Sequence, residues 1–284
     1  MKDSMFFSQL RNECFKLFSR KRTYLGFGIF LFIELLMLWL FKQTRTPKGL
    51  RGLLVNNGLR VEDFSGGLTM AVLTMVFTVA LVSGLYLALV SGELIAREIK
   101  EGTMRMVLAR PISRLRLFLI KILVSALHTF LLMAFVGLSG LLVGWIGHGR
   151  LGEMLVYAPL EGVFATFSPA EGLQRYLLAT LLLTLVYQAV SAMAVMFSCA
   201  RLRPATATVL TLSVLYVDFV LTNIPFLAPI KPWFLSYHLS TWVLVFRYEI
   251  PWRDILSSLL VLGGLSTSFF VIGFGFFGNR AIKT

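Results

Sequence analysis

Apolar residues fall into six long blocks, at 24–41, 68–90, 117–147, 176–198, 205–222 and 255–277. A helix needs about 20 such residues to cross the hydrocarbon of a bilayer, so each block predicts one transmembrane span. Residues 4–22 keep a different rhythm. At 100° per residue Phe6, Phe7, Leu10, Cys14, Leu17 and Phe18 share one face of about 120°, and Gln9, Asn12, Lys16 and Arg20 lie opposite. That pattern predicts an amphipathic helix lying flat in the membrane interface before the first span. The expected fold is an all-α polytopic membrane protein, with 1–284 forming a single transmembrane domain.

Polar positions are concentrated in one place, the island at 91–116 and its continuation to Lys121, between the second and third blocks. Glu93 and Arg97, and Arg97 and Glu101, stand four apart and would pair along one helical face. Gly102 is a poor interior helix residue, and Pro111 stops a helix that approaches it. Ser113 can cap the next helix, which carries Arg114, Arg116 and Lys121 into the lipid. The prediction is a charged elbow of two short helical pieces, unless the segment is an ordinary solvated loop.

Glu98, Gly102, Thr103, Pro111, Ser113, Arg114 and Lys121 follow the spacing E-x(3)-G-T-x(7)-P-x-S-R-x(6)-K. In this membrane context the pattern resembles the segment after the second span in permease subunits of the ABC type-2 exporter family, and the likeness extends more loosely over the whole chain. The resemblance implies that the elbow is a coupling helix seated in a groove of a separate ATPase subunit, with Glu93, Arg97, Glu98, Glu101, Gly102, Thr103, Arg105 and Arg110 as coupling residues. Glu98, Gly102 and Thr103 are expected to carry the contact and its geometry, and Arg114, Arg116 and Lys121 to anchor the next helix at the headgroups. It further implies two permease subunits, alike or related, joined to two ATPase subunits that hold ATP and Mg. The chain itself is expected to bind no cofactor.

Inside the spans a few polar groups stand out. Glu34 lies near the middle of the first span and His128 in the third; a carboxylate at that depth is a functional candidate, or else a packing strut bonded to a neighbouring helix such as the one carrying His128. Gln188, with Tyr187 and Ser191, must find partners within the protein or a wet cavity. Asp218, near the outer end of the fifth span, reads as an interfacial structural group. Gly137, Gly140, Gly144 and Gly147 recur every three or four positions and predict a seam for close helix approach. The second span shows no interruption beyond hydroxyl residues and Gly84.

Two polar loops, 42–67 and 148–175, are expected outside, the latter as loop with short helical pieces around Pro159 and Pro169. Residues 223–254 are apolar and aromatic but broken by Pro225, Pro229, Pro232 and Pro251, so they predict short re-entrant or interfacial helices. Trp233, Tyr237, Trp242, Tyr248 and Trp252 would sit at headgroup depth there. The family resemblance implies that this region, with Pro225, Pro229, Pro232 and Trp233, is the outer gate.

Composition sharpens the class. The chain is 57% hydrophobic and 14% charged, where soluble domains carry about a quarter charged residues. The net charge of +13 lies beside the spans, so anionic headgroups rather than nucleic acid are its expected partner. Of the 27 Lys and Arg, 17 fall on one side of the predicted membrane, which places both termini in the cytoplasm of a multi-pass cell-membrane protein, the bacterial inner membrane being the expected location. The N-terminus does not read as a removable signal. Cys14 and Cys199 are far apart and predict no disulfide, and the Met, His and Cys residues do not cluster as metal ligands. No G-x-x-x-x-G-K-[ST] loop, zinc-protease motif or nucleophile elbow occurs, so any ATP-driven motor would be another polypeptide. An ion-coupled transporter using Glu34, His128 and Asp218 as a relay, and a non-transporting anchor or sensor for an ATPase, stay open as alternatives.

Overall fold

A computed structural model describes residues 2–44, 66–108, 112–158 and 161–279. Among them the chain forms α1 (Lys2–Phe18), α2 (Lys21–Thr44), α3 (Gly67–Thr78), a π-helical turn (Val79–Ser83), α4 (Gly84–Glu93), α5 (Ala96–Lys100) and α6 (Thr103–Leu108). There follow α7 (Arg114–His148), strands β1 (Met154–Ala158) and β2 (Val163–Phe167), α8 (Pro169–Val186), α9 (Gln188–Cys199) and α10 (Pro204–Thr222). A 3₁₀ segment (Pro225–Trp233), α11 (Leu235–Leu239), a second 3₁₀ segment (Thr241–Phe246) and α12 (Trp252–Gly278) complete it. Among the described residues six stretches are long and apolar enough to span a membrane, beginning at Lys21, Gly67, Arg114, Pro169, Pro204 and Trp252. The protein is an all-α polytopic membrane protein. Most of the outer loop 42–67, with Pro47, Gly49 and Asn56, lies outside the described residues.

The uninterrupted α7 is the post on which the bundle is built. In lipid, apolar residues gain nothing by meeting one another rather than acyl chains, so close packing of small residues must supply the attraction. A Cβ on Gly144 would stand 2.3 Å from the carbonyl oxygen of Gly67, so α3 and α7 touch backbone to backbone. A Cβ on Gly137 would meet Thr180 of α8 at 2.2 Å, and one on Gly147 would meet Leu38 of α2 at 2.4 Å. The predicted glycine seam therefore works within one subunit, against three different helices. Tyr176 of α8 reinforces it by donating its hydroxyl hydrogen to the Gly137 carbonyl at 2.7 Å.

Four local expectations need correction. The loop before α8, expected outside as loop with short helical pieces, is an antiparallel hairpin in which Met154 pairs with Phe167 and Ala158 with Val163; the β-branched and aromatic residues of MLVYA and VFATF were the signal, hidden by the flanking prolines. Thr69 pins this hairpin, donating to the Glu153 carbonyl and accepting from the Leu155 amide, while the Arg150 and Leu151 carbonyls take the first free amides of α3. The second span is interrupted, by the π-turn. Trp242 is buried in the core rather than held at headgroup depth, whereas Trp233 is 84% exposed. Finally, the apolar face of α1 meets protein: Leu17 is buried, and Phe6, Leu10 and Cys14 pack on a cluster that includes Leu117, Phe118, Ile120 and Phe277. The N-terminal end of α7 and the C-terminal end of α12 supply that cluster.

Candidate coupling site at the charged elbow

The elbow forms as its sequence suggests. Arg97 pairs with Glu101 at 2.7 Å and with Glu93 at 3.6 Å along one face of a short helical run. Gly102 ends that run with φ at +75°, a left-handed conformation in which a side chain is strained, and Thr103 donates to the Glu98 carbonyl across the turn. Ser113 accepts the Arg116 amide and so caps α7. Two attachments root the elbow in the bundle. The Ser198 hydroxyl at the end of α9 accepts the amides of both Ile95 and Ala96, satisfying the first donors of α5, and Arg22 of α2 reaches Glu93 at 3.2 Å.

Beneath the elbow lies an ionic knot. Lys121 of α7 is 1% exposed, and its Nζ lies 2.5 Å from Glu13 of α1 and 2.6 Å from Glu98 of α5. Lys16 binds Glu13 at 2.5 Å, and Lys16 and Arg20 both approach Glu98 at 3.9 Å. Three cations thus surround two carboxylates where three helices meet. Burial works against the Glu13 charge, but Lys121 and Lys16 together outweigh it and hold the carboxyl below its ordinary range. Breaking a buried pair of this kind leaves an uncompensated charge, so the knot fixes how α1, α5 and α7 sit against one another.

Two sequence expectations change here. Lys121 cannot anchor at the headgroups because its ammonium is enclosed by Glu13 and Glu98. The Glu98 side chain, 4% exposed, points into the same knot and is not available at the surface. Arg114 donates to the Gly278 carbonyl at 2.6 Å and ties the ends of α7 and α12, and the Arg116 guanidinium lies 5.7 Å from the centre of the Phe6 ring. Arg110 and the Arg105 side chain lie outside the described residues. On the outward side of the elbow stand Lys100, Glu101 and Met106, the last 67% exposed. Glu13 was missed by sequence reasoning, although a carboxylate three residues after Leu10 and four before Leu17, on the apolar stripe, was the signal.

The intramembrane polar groups are not brought together. Glu34 accepts the Ser139 hydroxyl of α7 at 3.0 Å, on the helix that carries His128. His128 is fully buried among the rings of Phe18, Phe27 and Tyr86. Gln188 donates to the Ala126 and Thr184 carbonyls. Asp218 accepts the amides of Leu235 and Ser236, at 3.0 and 2.6 Å, and so caps α11. At the same end of the bundle His238, which the sequence did not single out, donates through Nε2 to the Pro232 carbonyl at 2.8 Å and bonds Ser258 through Nδ1. Arg175, also missed, donates to the carbonyls of Val245, Arg247 and Tyr248 and stacks 4.3 Å over Phe167. Pro225, Pro229, Pro232 and Trp233 form a 3₁₀ segment with no buried residue.

Six helices long and apolar enough to cross a membrane, a polar elbow between the second and third, and the helix α1 locked beneath it define a polytopic membrane protein. The chain belongs to the ABC-2 family of transporter proteins, whose family model matches residues 9–217. It is a multi-pass membrane permease of an ABC transporter. No curated protein and no solved structure matches it.

Proposed function

We propose that this chain is the permease subunit of an ABC exporter, that two such subunits line the path for a hydrophobic or amphipathic substrate, and that two separate ATPase subunits drive them. The observation that carries the reading is the elbow itself, whose exposed side offers Lys100, Glu101 and Met106 while its buried side is tied by Glu98 to α1 and α7 and by Ser198 to α9. A push on such an elbow reaches three helices without loss in a loose loop. Gly102 and Thr103 shape the turn, and Glu98 acts as a positioning residue rather than a contact. ATP shifts the balance between inward-closed and outward-open paths by its differential binding to the two states. The separate surroundings of Glu34, His128 and Asp218 argue against an ion relay. Both termini lie in the cytoplasm on this reading, and the outer gate is the segment pinned by Asp218, His238 and Arg175.

Purification of the native complex in mild detergent tests the proposal: an ABC ATPase should co-purify in equal number. A Glu101→Arg, Met106→Asp variant should fold normally and lose at least about tenfold of substrate-stimulated ATPase activity, the scale of a contact worth 1.4 kcal/mol. Equal activity in the variant, or a complex without an ATPase, overturns it.

A further inference from the structure

Lys and Arg occupy positions 11, 16, 20, 21 and 22, and the fold sorts them into two groups. Lys16 reaches Glu13, Arg20 approaches Glu98 and Arg22 reaches Glu93, so these three are paired within the protein. Arg11 and Lys21 are exposed and have no ion-pair partner among the described residues. Their surroundings are apolar. Phe7, Arg11 and Phe15 follow one another at four-residue spacing and so form one stripe along α1, in which the two rings are 68% and 75% exposed. Tyr24 and Leu25, a turn beyond Lys21, are exposed as well. A different face of α1 packs on the bundle, the one carrying Leu10, Glu13 and Leu17. The helix therefore has two apolar faces, one docked and one open, and the unpaired arginine stands on the open one.

The level of the open face along the bundle identifies what covers it. Phe6 lies against Arg116, Glu13 binds Lys121 and Phe18 meets the His128 ring, so α1 ascends beside α7 from 116 to 128. Over that interval α7 exposes Leu115, Leu119, Leu123 and Leu127, one per turn, and the exposed row continues to Leu138 and Leu142 in the middle of the span. A leucine row continuous with a membrane span faces acyl chains. The Phe7–Arg11–Phe15 stripe lies at the end of this row nearest the elbow, where hydrocarbon gives way to headgroups. Exposed rings beside unpaired cations suit that layer, because the rings settle against the upper acyl chains while long Arg and Lys side chains carry their charge out to phosphate.

We propose that the open face of α1, together with Lys21, binds anionic phospholipid of the leaflet on the elbow's side. Arg11 and Lys21 take the headgroup phosphate, and Phe7 and Phe15 insert beside the chains. A zwitterionic lipid fits less well, because its own cation opposes the two free ones. Glu13 on the docked face shares Lys121 with Glu98 of the elbow, so α1 is held by the bundle on one side and by lipid on the other. The lipid thereby steadies the helix that braces the elbow, with or without the proposed coupling to an ATPase.

Lipid-exchange quenching on the full chain in nanodiscs tests the site. A fluorophore at Ser8→Cys, beside the stripe, in a background where Cys14 and Cys199 are serine, is titrated with phosphatidylglycerol or phosphatidylcholine carrying a nitroxide high on one acyl chain. Phosphatidylglycerol should associate at least about fivefold more tightly, the factor that one Lys or Arg near an anionic surface supplies. Arg11→Gln with Lys21→Gln, both at exposed positions, should bring the two lipids to within about twofold of each other. Phe7→Ser with Phe15→Ser should weaken quenching by both. Equal association of the two lipids with the unsubstituted face overturns the proposal, and so does a preference that survives loss of both cations. A fluorophore quenched by aqueous iodide and by neither lipid overturns it as well, since the face would then meet water.

Discussion

Lys121 shows how one side chain can take a role opposite to the one its position suggests. A lysine seven residues into a membrane helix ordinarily extends its ammonium to the headgroups, but here Glu13 and Glu98 draw it into the protein. Lys121→Met should therefore destabilise the folded protein by about 3 kcal/mol, because two buried carboxylates lose their shared cation. Adding Glu13→Gln and Glu98→Gln should restore most of that loss, and thermal unfolding in detergent reads both. The pH dependence follows from Glu13. Its folded carboxyl titrates below the unfolded value of about 4.3, so its stabilisation is complete above that value and is lost as pH falls through the lower folded one. A fluorophore at Ser8→Cys, in a background with both native cysteines changed to serine, should keep its anisotropy from pH 7 to 5 and lose it only below about 4. Glu13→Gln should remove the acid transition.

Among the elements, the helix seams and the outer cap have separate sensitivities. Gly144→Ala forces a methyl group against the Gly67 carbonyl, which no rotamer can relieve, and should cost about 1–3 kcal/mol in thermal unfolding. Gly263→Ala, with no atom within 4 Å of its added carbon, should be neutral or stabilise by up to about 1 kcal/mol through helix propensity. Arg175→Met removes a charged donor from three carbonyls and should expose the 241–251 segment to protease in right-side-out vesicles while leaving α7–α8 packing intact. The hairpin and these two clamps were illegible beforehand for a simple reason: Arg175 and His238 act on partners up to 73 residues distant, and no local rhythm records that.

At the scale of the molecule, the charge bias and the elbow make one geometric claim, that α5 and α6 lie on the same side as both termini. Impermeant labelling of Lys100→Cys should succeed in inside-out vesicles and fail in right-side-out ones, and the reverse result would separate the elbow from any cytoplasmic ATPase. The apolar blocks, the elbow pairing, the glycine seam and the cap at Ser113 were readable from the chain because each depends on residues within a few turns of one another. So was the family resemblance, carried by seven residues between Glu98 and Lys121. The inward aim of Glu98 and the docking of α1 on protein depend instead on which helices become neighbours. Hydrophobicity and short-range spacing determine which segments enter the bilayer and where they start and stop. Which polar group meets which is decided only when the helices pack, because a buried charge has to find its partner across the bundle.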